Sequence, residues 1–160
     1  LSLRIFKKIG EVEAKIHNEP LEKVHFHEIG AVDSIVDIVG TAILIEQLEI
    51  DEVYASPIPV GSGEIHIAHG IYPVPAPATL EILRGVPIKE SNIEAELTTP
   101  TGAAIAVELA RQFGPLPAMT VRQSGYGAGM KTSPSRPNVL RVIIGQQVGL
   151  SKNSTSWNKF

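Results

Sequence analysis

Between Val24 and Asp37 the chain reads VHFHEIGAVDSIVD, which puts two histidines, one glutamate and two aspartates within fourteen residues. His25 and His27 are two apart, so a strand would present both on one side. Asp33 and Asp37 are four apart, so a helix would present both on one face. Gly30 between them is a natural turn. A strand, a turn and a helix here would aim imidazoles and carboxylates, with Glu28, into one space. These are donors for a transition metal such as Zn²⁺, Ni²⁺ or Fe²⁺. The plainer reading is that Asp33 or Ser34 caps a helix and that the histidines line a solvated strand face.

The sequence that follows favours the metal reading. From Ala31 to Ile50 it is apolar on nearly every side of a helix, with Val32, Ile35, Val36, Ile38, Val39, Ile43, Leu44, Ile45 and Leu48. Asp33, Asp37 and Thr41 form a narrow polar stripe at about 100° per residue. Such a helix is expected to be mostly buried, and a buried carboxylate needs a partner such as a cation.

A second donor cluster lies in GSGEIHIAHG, where Glu64, His66 and His69 stand between glycines. It reads as another metal arm, or as a surface hairpin with polar tips. The chain has no cysteine, so disulfides and thiolate ligation are excluded and a metal must use N and O donors. No GxSxG is present, and serine or cysteine nucleophile chemistry is not indicated.

Charge divides the chain. All seventeen acidic residues lie at or before Glu108, with seven Lys or Arg, and all five histidines fall within the first 69 residues. Beyond Glu108 come seven Lys or Arg and no acid. The first part suits a cation and the second an anion, unless the charges interleave on folding. Two features of the second type stand out. In ELTTPTGAA, Thr99 and Thr101 flank Pro100 at a helix start; ordinary capping explains them, and the free amides would also cradle a phosphate. Gly125 and Gly127 belong to GYGAG, read as a glycine-rich loop, with Arg122, Lys131, Arg136 and Arg141 around it. Arginines beside exposed amides suit phosphate or carboxylate. The spacing is neither GxGxxG nor a P-loop. The net charge of −3 and the scarcity of aromatics argue against nucleic acid.

The elements that must position these groups follow from periodicity. Leu1 to Asn18 predicts an amphipathic helix with Leu3, Phe6, Ile9, Val12 and Ile16 on its apolar side. A short strand over 24–28 precedes the apolar helix, and a strand over 53–60 carries Pro57 and Pro59. Ala78 to Arg84 predicts a helix ending at Gly85, and Thr98 to about Phe113 another. Strands follow over 119–124 and 139–144. Residues 146–160 are polar and patternless, and are expected to be a disordered or appended tail.

At 43% hydrophobic residues the chain is globular. The expected fold is α/β or α+β, a layered sandwich of a mixed sheet with packed helices in a single domain over 1–145. No apolar run is long enough to span a membrane. The absence of an initial Met, and a start already inside a helical pattern, predict a piece of a longer protein.

Four motifs together carry a resemblance: HFHEIGAVDSIVDIVG, HGIYPVPAPATLEILRGVPI, ELTTPTGAAIA, and SGYGAGMK with RPNVLRV. In this order, over about Leu21 to Ile144, they resemble the nickel insertion proteins of lactate racemase maturation. The resemblance implies the central part of such a protein. It implies a cytoplasmic enzyme that inserts nickel into a pyridinium-3,5-bisthiocarboxylic acid mononucleotide to make the nickel-pincer nucleotide. It also implies CTP dependence, through a site in a domain beyond this chain, and it admits a homo-oligomer. On residue chemistry, His25, His27, Glu28, Asp33, Asp37, His66 and His69 are the expected metal ligands. Thr99, Thr101, Gly125, Gly127, Arg136 and Arg141 are the expected nucleotide-phosphate groups. The alternatives are a metal-dependent hydrolase or phosphatase and a non-catalytic metal-binding assembly module.

Overall fold

The computed structural model of the chain describes residues 1–24, 32–67, 70–130 and 137–149. Its contacts divide into two compact units, Leu1–Leu116 and Pro117–Phe160. The expected domain of 1–145 therefore takes in the first unit and most of the described part of the second.

In the first unit, α1 (Ser2–His17) ends at Asn18, whose left-handed backbone (φ 53°) returns its amide to the Ala14 and Lys15 carbonyls. The apolar face of α1 is rotated from the one predicted. Ile5 and Ile9 are fully buried with Phe6 and Val12 packed beside them, whereas Leu3 is 84% exposed. The apolar positions allow both stripes, and contact with the rest of the core selects the Ile5 side. A 3-10 turn over Leu21–Lys23 follows, then α2 (Val32–Gln47).

The strand predicted over 53–60 is two pieces, β1 (Val53–Ala55) and β2 (Ile58–Pro59), separated at Ser56-Pro57. Proline supplies no amide to a ladder, so an unbroken strand is not available there. β3 (Glu64–Ile67) and β4 (Gly70–Pro73) pair antiparallel, with His66 opposite Ile71. α3 (Pro77–Ile82) starts on proline and stops before Gly85 at φ 81°. β5 (Ile88–Lys89) runs parallel to β2.

α4 (Pro100–Leu109) is shorter than predicted. Its expected last turn is instead β6 (Ala110–Phe113), parallel to β1. Pairing outweighs helix continuation here: Gly114 donates its amide to the Ala55 carbonyl at 2.8 Å, and Arg111 is ion-paired with Glu52 beside β1.

One cluster holds the first unit together: Ile5 and Ile9 of α1, Ile38 of α2, Ile58 and Val60, Ile82 and Leu83, and Ala103 and Ala104 of α4. Burying each isoleucine fully stabilises by about 1.5–3 kcal/mol. The small side chains of Ala103 and Ala104 let α4 approach its neighbours closely. Ion pairs mark the same packing at the surface. Arg4 and Lys8 of α1 reach Glu108 of α4, and Lys15 reaches Glu81 of α3.

The second unit is a hairpin of β7 (Met119–Ala128) and β8 (Val139–Gln147), with a bulge at Arg122. Among the described residues the strands form four two-stranded ladders, two parallel and two antiparallel. The class is α+β, with both strand orientations present as expected. Gln146 and Gln147, within the tail predicted over 146–160, belong to β8. Residues 150–160 lie outside the described part.

Candidate functional site

α2 carries the two carboxylates of the first motif. Asp33 sits in its first turn, where a negative charge favours the positive helix end. An Asp33 carboxylate oxygen accepts the Ser34 amide at 3.0 Å. Asp37 lies one turn on. Both are exposed, contrary to the buried setting predicted for them. The reason is the seating of the helix. Ser34 and Ile38 alone of its residues are buried, so α2 touches the core along one narrow line and turns the aspartates to solvent. Their carboxylates therefore need no cation for desolvation, and their value to a metal lies in their spacing and openness. His25, His27 and Glu28 lie outside the described residues, as does His69.

On the β3–β4 hairpin, Glu64 and His66 alternate with Ile65 and Ile67. The isoleucines are half-buried and the two polar residues exposed, so Glu64 and His66 share the outer face. They form a two-donor element. Among the described residues, no group of three or more His, Asp or Glu is close enough to hold a metal by itself.

The start of α4 is built by Thr99. Its backbone is extended (φ −82°, ψ 165°), Pro100 takes the first helical position, and the Thr99 hydroxyl accepts the Gly102 amide at 3.2 Å. The capping reading is what this geometry shows. Thr101 is buried at 9% exposure in the first turn, and Thr98 donates its hydroxyl to the Pro59 carbonyl at 2.7 Å. The segment before α4 is tied to the core further back as well. Gly61, at φ 85°, bridges to Glu96, and a Cβ on it would stand 1.8 Å from the Ala95 carbonyl oxygen.

Gly125 and Gly127 are not in a loop. They are ladder residues of β7, opposite Val142 and Leu140. The glycine spacing suggests a loop, but Val139 to Arg141 offers a β-forming partner strand that extends the pairing to Ala128. Arg141 stands directly opposite Tyr126, and both are exposed. Cross-strand neighbours have Cβ atoms about 4.5–5.5 Å apart, so the two side chains rise from the same face of the hairpin. Sequence reasoning misses Tyr126 because a loop gives it no fixed neighbour; the alternation of a strand pairs it. Arg122, at the bulge, donates to the Gln146 side-chain oxygen at 3.0 Å. Arg136 lies outside the described residues. Thr99 and Thr101 thus belong to the first unit, and Gly125, Gly127 and Arg141 to the second.

Comparison with known proteins bears on these elements together. The profile of the family described as nickel insertion protein matches residues 1–158. The pyridinium-3,5-bisthiocarboxylic acid mononucleotide nickel insertion protein of Geobacillus kaustophilus is 55% identical over 153 residues, which is 96% of this chain and 37% of that protein. The protein of the same name from Staphylococcus epidermidis strain RP62A is 58% identical over 142 residues, 89% of this chain and 36% of its own length. That of Desulfitobacterium hafniense is 55% identical over 145 residues, 91% of this chain and 36% of its own. No solved structure gives a significant match. The chain spans a little over a third of the length of these relatives, and its metal-donor motif, its capped α4 and its glycine-containing hairpin all fall within the matched region. The chain belongs to the nickel insertion protein family.

Proposed function

We propose that the full-length protein containing these residues is a nickel chelatase, which inserts nickel into pyridinium-3,5-bisthiocarboxylic acid mononucleotide. Relatives that carry this substrate in their names match nearly the whole chain at 55–58% identity, and this is the observation that carries the reading. The chemistry of the chain supports it. Nickel, the substrate ion, is taken by N and O donors, since the chain offers no thiolate. His25, His27, Glu28, Asp33 and Asp37 supply the main set, and His66 and His69 a second arm. The exposed Asp33 and Asp37 carboxylates and the exposed His66 imidazole suit an ion that must later leave for the two thiocarboxylates of the mononucleotide, whose soft sulfurs favour nickel over oxygen donors.

The mononucleotide phosphate is assigned to the acid-free part of the chain. Arg141, across the ladder from Tyr126, and Arg136 offer guanidinium forks. Separately, in the first unit, the start of α4 at Thr99 and Thr101 offers an anion the positive end of a helix dipole. Gly125 and Gly127 put no side chain of β7 on the face opposite Tyr126, where Leu140 and Val142 of β8 stand across from them. CTP dependence, through a site beyond this chain, and a cytoplasmic setting complete the proposal. Among the described residues no helix is long and apolar enough to cross a membrane.

The test is metallation of the mononucleotide by the full-length protein and by its His27→Ala, Asp33→Ala double variant. The expected result is loss of nickel transfer with folding retained. Undiminished transfer in the double variant would remove the assignment.

A further inference from the structure

α2 is apolar on most sides yet meets the core along one line. Val32 is 75% exposed and Val36 61%, and Ile35, Val39, Ile43 and Leu44 are exposed with them. Val32, Ile35, Val36, Val39 and Ile43, spaced three and four apart, make one face about 100° wide, and Leu44 lies on the side of Asp33 and Asp37. Contiguous apolar surface of this kind marks an interaction site. Gly40 lies at the edge of the face, and nothing stands within 4 Å of where its Cβ would be. It leaves a notch into which another backbone or side chain can settle.

The face continues into a groove. A cavity of about 590 Å³ is lined by Val39, Ala42, Ile43, Ile45 and Ile50. A neighbouring cavity of about 430 Å³ shares Ile45 and Ile50 and extends to Val53 of β1 and Leu109. The β1–β6 ladder beside it is parallel and two-stranded. Parallel ladders are otherwise found covered on both faces, and an uncovered strand edge offers unpaired backbone groups. Among the described residues, helix face and groove thus lie open on adjoining surfaces, beside a half-buried ladder.

Charge selects the occupant. α2 carries no Lys or Arg, and its Glu46 lines the groove with Glu49 and Asp51. The two arginines at the second cavity, Arg4 and Arg111, are already paired with Glu108 and Glu52. Pairing this helix with its counterpart in a second copy would set acids against acids, which is unfavourable. A segment with an apolar face and a Lys- or Arg-bearing rim fits instead. The curated relatives are long enough to supply one, because the chain accounts for only 37% of the Geobacillus protein and 36% of the Staphylococcus protein. We propose that α2 and the adjoining groove form an internal docking surface, covered in the full-length protein by a basic-rimmed apolar segment of the same polypeptide outside these 160 residues.

Full-length protein with Val36→Cys or Ile43→Cys tests this, because these 160 residues contain no cysteine of their own. Alkylation is read peptide by peptide by mass spectrometry, in native buffer and in urea. The expected result is native alkylation slower by at least about tenfold, unchanged on dilution. A photo-reactive crosslinker on the same cysteine, in a mixture of ¹⁵N-labelled and unlabelled protein, should join the cysteine peptide to a Lys- or Arg-containing peptide beyond the 160 residues, with no mixed-isotope product. Native alkylation as fast as in urea would overturn the proposal. So would protection that fades on dilution, mixed-isotope crosslinks showing a second copy, or crosslinks confined to these 160 residues.

Discussion

Asp33 and Asp37 stand one helical turn apart on α2, and both face solvent. Residues so spaced have Cβ atoms about 5–6 Å apart, close enough to approach one cation together. Their exposure means that the fold does not depend on neutralising them. Asp33→Asn and Asp37→Asn should each change stability by no more than about 1 kcal/mol. Each should weaken nickel binding by the full-length protein by about tenfold or more. Calorimetry with Ni²⁺ and thermal unfolding check the two halves separately. Unaltered nickel affinity would remove both residues from the ligand set.

Arg141 should act through its charge. Arg141→Ala is expected to weaken binding of the mononucleotide to the full-length protein by about tenfold, a loss of some 1.4 kcal/mol, at low ionic strength. The loss should shrink in salt, because the Debye length falls from about 10 Å at 0.1 M to about 3 Å at 1 M. Titration calorimetry at two salt concentrations measures this, and an equal affinity for variant and parent would contradict the phosphate assignment.

Thr99 should be worth a helix cap. Thr99→Ala removes the acceptor of the Gly102 amide and should cost about 1 kcal/mol, whereas Thr99→Ser should restore most of it. Chemical denaturation of the three proteins reads the difference. A Thr99→Ser variant as unstable as Thr99→Ala would contradict a capping role for the hydroxyl.

Gly61 is held by space as well as by conformation. Its φ is 85°, and a methyl group on its Cα would stand 1.8 Å from the Ala95 carbonyl oxygen, so Gly61→Ala must displace the segment that bridges it at Glu96. A loss of about 2 kcal/mol or more in unfolding free energy is expected. A variant as stable as the parent would show that the Gly61–Glu96 bridge is not required.

Glu81 reports the α1–α3 contact through its titration. The hydrogen bond from Lys15, with the nearby charges of Arg84 and Lys15, holds its carboxyl below the ordinary value of 4.5, against the opposing effect of desolvation. The folded value is the depressed one. The stabilisation is therefore fully present above the ordinary carboxylate value and fades as pH falls through the lowered folded value. In an NMR titration, Lys15→Met should move the Glu81 midpoint upward. A midpoint that stays in place would mean that Lys15 is not the main cause.

The helices are legible in the sequence because their signals are local. The apolar repeat of α1 is bounded by Asn18, Pro77 opens α3, and Thr99-Pro100 opens α4. What the sequence hides depends on distant partners. Leu3 and Ile5 both satisfy a helical stripe, and only the packed core chooses Ile5. Residues Ala110 to Phe113 continue a helical pattern until β1 is available to pair with them. Gly125 and Gly127 look like a loop until Val142 and Leu140 stand opposite. The exposure of Asp33 and Asp37 has the same origin. An apolar helix predicts burial, but within these residues the core covers little more than Ser34 and Ile38 of α2. The donor types of the candidate site can be read directly from HFHEIGAVDSIVD, since ligand chemistry belongs to residue identity rather than to packing.

Anomalous scattering at the nickel absorption edge, from crystals of the full-length protein soaked in Ni²⁺, tests the central claim most directly. A peak is expected at coordination distance, about 2.1 Å, from the His25 or His27 imidazole together with the Asp33 or Asp37 carboxylate. A nickel peak bound by neither histidine and neither aspartate would contradict it.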